Sequence, residues 1–316
     1  MWHLVFTLRV AVLLAAFAAV PYLEAQTSTA KLTLEQSTDG LGNWQRVPLS
    51  AAMLNNGDLD LTSVPSNAFY RMKIALETAP PETDHIVTVQ GGKLPASSQL
   101  ADTEVATFQI GKYEVTWAEW QEVRTWAVAN GYDLAGTGSG TGGDHPVMDV
   151  SYYDVVKWCN AKSEKDGLVP VYEVSGVTFK AGQGAPMVNS AAKGYRLPTE
   201  AEWEWAARGG VRSQGYTYSG GNNVDLVAWH MGNSSGSKVV GTKAASELGI
   251  HDMSGNVWEL CEDQVSVSDY RRRIRGGGYS FFPEFCAVGN RGAFSEPDDR
   301  NTNDGVGFRL ARERWW

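Results

Sequence analysis

The sequence predicts a loop-rich fold of mixed helices and strands, in which large aromatic side chains take the place of long regular elements. Three observations carry that expectation. The chain of 316 residues holds 12 Trp and 34 Gly. Three stretches combine a helix N-cap with apolar residues at helical spacing. The remainder reads as short strands separated by turns. With 43% hydrophobic and 20% charged residues, there is material for one large core and a small appendage.

The first segment reads as a targeting signal. His3 and Arg9 precede an apolar run from Val10 to Val20, Pro21 ends the run, and Leu23-Glu-Ala25 offers a cleavage site before Gln26. A run of this length falls short of the ~20 residues needed to span a ~30 Å hydrocarbon core in helix. Residues 1–25 therefore read as a secretory signal peptide, which places the mature chain outside the cell or in the periplasm or envelope. No later stretch is long and apolar enough to cross a membrane, so no span is expected once the signal is removed.

Residues 26–76 alternate as strands do. Leu32 and Leu34 flank a Thr, Asn55-Asn-Gly-Asp58 supplies a turn, and Phe69 to Ile74 closes a small β appendage. Residues 77–84 form a linker, because Pro80 and Pro81 hold the chain extended and cannot pair. Residues 85–316 then read as one domain. His85–Gly92 and Val105–Tyr113 are its first strands. Thr116–Asn130 is a helix with Thr116 as N-cap and Glu119 as the acid of a capping box; Trp117, Trp120, Val123 and Ala127 form its apolar stripe. Ser151–Lys165 is a second helix, with Val155, Trp158 and Cys159 on one face. Pro198–Arg208 is a third, opened by Pro198 and closed by Gly209-Gly210. Its acids Glu200, Glu202 and Glu204 are accounted for by the helix dipole, although Glu200 and Glu204 share a face as a glycosidase pair would.

Charge and motif exclude several classes. A net charge of −9 without a basic stripe argues against nucleic acid. The run Arg271-Arg-Arg273 with Arg275 reads as solvated or ion-paired edge residues. Gly136–Gly143 lacks the Lys-Ser/Thr ending of a phosphate loop and reads as a flexible connection. The three cysteines, Cys159, Cys261 and Cys286, have no zinc spacing. Their flanks suggest buried positions, and a Cys261–Cys286 bridge is open to an exported chain. His85, His145, His230 and His251 stand singly, as loop or core residues do.

Ordered segments carry a resemblance. They are Gly111-Lys-Tyr-Glu-Val-Thr116, His145-Pro-Val-Met-Asp-Val-Ser151, Gly194-Tyr-Arg-Leu-Pro-Thr-Glu-Ala-Glu-Trp-Glu-Trp-Ala-Ala-Arg-Gly-Gly210, Gly249-Ile-His-Asp-Met-Ser-Gly-Asn-Val-Trp-Glu259, Arg275-Gly-Gly-Gly-Tyr279 and Gly307-Phe-Arg-Leu-Ala-Arg312. Together, over about residues 85–312, they resemble the formylglycine-generating enzyme (sulfatase-modifying factor) family. The resemblance implies an α+β, C-type-lectin-like domain with little regular structure.

It also implies a chemistry that this chain only half retains. Active members bind copper(I) through two cysteines five residues apart after the Gly-rich turn, as soft thiolates suit that ion. The matching positions here are Phe281 and Cys286. Phenylalanine cannot ligate a metal, so copper is not expected, and Cys286 is the catalytic candidate only if the chain is active. By the same resemblance Asp252, Gly255, Val257 and Glu259 match a structural calcium loop, with backbone carbonyls from Gly255 and Val257.

The segment after the glycine turn suggests recognition instead. Tyr279, Ser280, Phe281, Phe282, Glu284, Phe285, Arg291 and Phe294 set aromatics beside polar groups, as a protein- or glycan-binding face does. The sequence thus points to an exported, non-catalytic binding or envelope structural module. The alternative is a copper-dependent formylglycine-generating oxidase with a non-standard metal site.

Overall fold

A computed structural model describes residues 85–294 and 305–313, and before them the strand backbones of the appendage. The signal segment 1–25 and the linker prolines lie outside the described residues. The chain divides after Pro81 into two units, taken separately below.

In the first unit Thr29–Ser37 pairs antiparallel with Phe69–Glu77 along its whole length, from Thr29 opposite Glu77 to Ser37 opposite Phe69. Gln45–Val47 pairs on the other edge of Thr29–Ser37. Leu54–Asn55 pairs antiparallel with Asp58–Leu59.

The second unit is α+β. A three-stranded sheet holds Phe108–Gly111 between Ile86–Val89 and Ala311–Glu313, all antiparallel, which brings the start and end of the domain together. A four-stranded sheet runs in the order Gly292–Ala293, Asp269–Arg275, Trp258–Ser266, Val306–Gly307, the last pair parallel. Phe108, Ile110 and Leu260 are fully buried. Among the described residues, no helix is long and apolar enough to cross a membrane.

The longer helices are α1 (Trp117–Ala129), α2 (Tyr152–Lys165) and α3 (Glu200–Ala207); α1 packs on α2, and α3 packs on the four-stranded sheet. Their starts follow from capping chemistry. Ser151 and Asp154 close a reciprocal capping box on α2, and Thr199 and Glu202 do the same on α3. On α1 the Thr116 hydroxyl accepts from the Glu119 N–H at 3.2 Å. Pro198 therefore stands one residue before the cap of α3 rather than inside the helix. The Trp spacing read from the sequence places Trp120 and Trp158 face to face, centroids 5.6 Å apart, with Phe308 edge-on to both. Their indole N–H groups donate to Thr137 O and Trp120 O, so these large apolar surfaces bury no unmet donor.

The acids of α3 have a cause beyond the helix dipole. Glu202 accepts a two-pronged bond from Arg196, both arms at 2.7 Å. Glu204 holds Arg208 and Arg275, and Glu200 holds Arg275 and Arg291. Arg275 is fully buried between Glu200 and Glu204, and it also donates to Val288 O. It is a core ion, not an edge residue. Its neighbours match the ion-paired expectation, with Arg271 on Asp269 and Arg273 near Glu200. The glycosidase-pair geometry is thereby taken up, since both carboxylates of the shared face are committed to arginines.

Candidate functional site

The candidate face grows out of the end of strand Asp269–Arg275. Gly276 and Gly277 turn the chain sharply, and at Gly277 (φ +75°) an added Cβ would lie 2.8 Å from the Phe285 carbonyl carbon and oxygen. Only glycine lets the two backbones approach so closely. The chain then folds back through a 3₁₀ turn, Pro283–Cys286, with proline at its start. This return places Phe285 beside Phe281. Their rings meet at 5.8 Å, and Phe281 stands edge-on to Trp258 at 5.5 Å.

The predicted face divides under this geometry. Phe282 is 57% exposed and Phe285 36%, with Ser280 and Glu284 also exposed. Tyr279 and Phe281 are half-buried at its rim. Arg291 is half-buried as well, and its guanidinium bonds both Glu200 oxygens at 2.5 and 2.6 Å, so it serves α3. Phe294 is a correction to the sequence reading. It is buried because its N–H donates to Arg272 O along the sheet edge, which turns the ring inward. Met231, 48% exposed, joins the face because its N–H donates to Phe281 O at 2.9 Å. Nothing local in the sequence marks Met231, since the contact is made across fifty residues of chain.

The cysteines do not assemble a metal site. Cys286 is fully buried with Val227 and Ala228, and burial pushes its thiol up to about 12. Cys261 belongs to a different apolar cluster, with Trp203, Met253 and Val288. All three cysteines are free, so the Cys261–Cys286 bridge open to the sequence is not formed. A thiol with so high a pKa is a poor thiolate donor and a poor nucleophile at neutral pH.

An arginine organises the loop around Glu259. Glu259 accepts from Arg309 Nε and Nη2, both at 2.6 Å, and from Trp203 Nε1 at 2.7 Å. Arg309 also donates to Gly111 O and His251 O at 2.9 Å. Asp252 accepts from the Gly241 N–H at 2.6 Å, while its other oxygen is buried without a hydrogen bond. Glu114, between Asn256 and the Val257 N–H, completes the cluster, and burial holds its carboxyl well above the usual range. Among the described residues, no three His, Cys, Asp or Glu side chains converge to hold a metal ion. The Glu259 oxygens are spent on Arg309, so the set Asp252, Gly255, Val257 and Glu259 as arranged does not fit calcium.

Known proteins share this framework. The sulfatase-modifying factor enzyme 1-like domain matches residues 73–314. A Paenibacillus barcinonensis protein named chaperone protein LppX is 34% identical over 266 residues, covering 73% of this chain and 90% of that protein. Among solved structures, CarF aligns with a TM-score of 0.64 at 30% identity, over 72% of this chain and 98% of its own. Treponema denticola variable protein 1 aligns with a TM-score of 0.58 at 30% identity, over 73% and 94%.

Proposed function

This chain belongs to the sulfatase-modifying factor enzyme 1-like family, and on that footing we propose that it is an exported, non-catalytic module that docks a protein or glycan ligand on the aromatic face around Phe282. The observation that carries the reading is Phe281. It stands where the family's first copper cysteine would be, with its ring packed against Trp258 and Phe285. The remaining thiol, Cys286, is buried in an apolar cluster with Val227 and Ala228.

What replaces the chemistry is contact surface. Phe282, Phe285 and Met231 expose apolar area beside Ser280 and Glu284, on a turn whose backbone is fixed by Gly277. Exposed aromatics on a rigid frame supply contact area at small entropic cost, and a few such residues dominate binding energies. A relative named a chaperone favours a polypeptide as the ligand. Export is supported by the apolar run and break at the start of the chain.

The reading is tested with an unfolded polypeptide as probe, reduced and carboxymethylated lactalbumin, followed by fluorescence anisotropy. The wild-type chain is expected to bind it saturably. Phe282→Ser with Phe285→Ser is expected to weaken binding about tenfold, with only a modest fall in the thermal midpoint, because Phe282 faces solvent and Phe285 loses an edge contact with Phe281. Equal affinity of the two proteins would remove this face from the account.

A further inference from the structure

Among the described residues, a concave feature lies apart from the aromatic turn. It is a cleft of about 590 Å³ between the start of strand Ile86–Val89, the first turns of α1 and the last turns of α2. That volume is within the range of ligand sites. Its walls are apolar at Val115, Val123 and Leu310, and aromatic at Tyr113 and Tyr195. Tyr113 is held by stacking on His251 at 5.2 Å. Tyr195 is held by its hydroxyl, which donates to Asp166 at 3.1 Å.

The charges in the cleft do not cancel. Lys165 is paired with Glu122 at 2.7 Å, and Lys162 with Asp166 at 2.5 Å. Glu114 is spent on Asn256 and Val257. Glu119 remains. The sequence casts it as the capping-box acid of Thr116, yet only its N–H bonds the Thr116 hydroxyl. Its carboxylate lines the cleft and takes no hydrogen bond or ion pair among the described residues. α2 and α3 each turn the equivalent acid back onto the cap, so the chain could have satisfied this group and did not. Burial raises the Glu119 carboxyl above its ordinary range, with Lys162 and His85 acting the other way. A half-buried acid without a compensating partner gains when a cation arrives.

We propose that this cleft binds a primary alkylammonium group, its charge held by Glu119 and its stem laid along Val115, Val123 and Leu310. An ammonium suits the site better than a guanidinium. The Glu119 carboxylate suits a compact charge, and tyrosine faces already carry lysine ammonium groups on this surface, Lys112 over Tyr113 and Lys162 over Tyr195. The group can be a free amine or a lysine side chain.

The test is calorimetric titration of the full mature chain with 1,5-diaminopentane, with the capped tripeptide acetyl-Ala-Lys-Ala-amide, and with pentan-1-ol as the uncharged counterpart. Saturable binding of one or both amines, and none of the alcohol, is the expected result; which amine binds more tightly identifies the source of the ammonium. Glu119→Gln is expected to weaken the amine roughly tenfold or more, since it removes the charge while keeping the shape. Phe282→Ser should leave amine binding unchanged, which separates this site from the aromatic face. Binding of neither amine, equal binding of the alcohol, or full affinity in a folded Glu119→Gln chain overturns the proposal. If that variant does not fold, the comparison of amine with alcohol on the wild-type chain decides alone.

Discussion

Replacing Arg309 with Met is expected to lower the unfolding free energy by about 3–5 kcal/mol, read from urea denaturation at pH 7. Arg309 and Glu259 are both fully buried. The guanidinium satisfies both Glu259 oxygens and the carbonyls of Gly111 and His251. Met keeps much of the volume but leaves a buried carboxylate with only the Trp203 indole, and two carbonyls without donors. The large term is the stranded charge rather than the lost attraction. A Glu259→Gln, Arg309→Met double variant should therefore be more stable than Arg309→Met alone. A double variant no better than the single one would show that the charge was not the cause.

Gly255→Ala is expected to cost about 2–4 kcal/mol, from left-handed strain and overpacking together. Gly255 has φ +82°, and a Cβ there would fall 2.3 Å from the Trp229 carbonyl oxygen and 2.8 Å from its nitrogen. Backbone is the obstacle, so no side-chain rotation relieves it. The same segment receives the Asn256 N–H at Trp229 O, so relaxation would break that bond as well. Gly249 provides the control. It has φ +75° but nothing within 4 Å of an added Cβ. Gly249→Ala should show the strain alone, a smaller fall in thermal midpoint. Equal losses at the two positions would mean that the close approach at Trp229 contributes nothing.

The elements that were legible in the sequence are those fixed by neighbours along the chain. Thr116 and Ser151 cap their helices because a short hydroxyl side chain reaches an N–H three residues on. Trp120, Val155, Trp158 and Cys159 are core because helical periodicity puts them on one side. What escaped the sequence depends on partners that folding brings together. Glu200 and Glu204 meet Arg275 across about seventy residues, and Glu259 meets Arg309 across fifty. A carboxylate at the start of a helix looks the same whether it faces solvent or a buried guanidinium. Asp252 and Glu259 looked like cation ligands for a sound reason, since a cation does lie against Glu259, but the cation is supplied by the chain itself. Within the candidate face, Phe282 and Phe285 are exposed as expected. Phe294 is not, because a one-residue step along a strand edge decides which way a ring points.

On the function proposed above, this family frame serves docking rather than copper chemistry. The most direct test of that function gives the purified mature chain copper(I), oxygen and a Cys-x-Pro-x-Arg peptide, and follows the peptide mass beside a Cys286→Ala control. With Phe281 at the first cysteine position and Cys286 buried, the peptide should keep its mass in both proteins. Conversion of the peptide cysteine by the wild-type chain, lost in Cys286→Ala, would contradict the account.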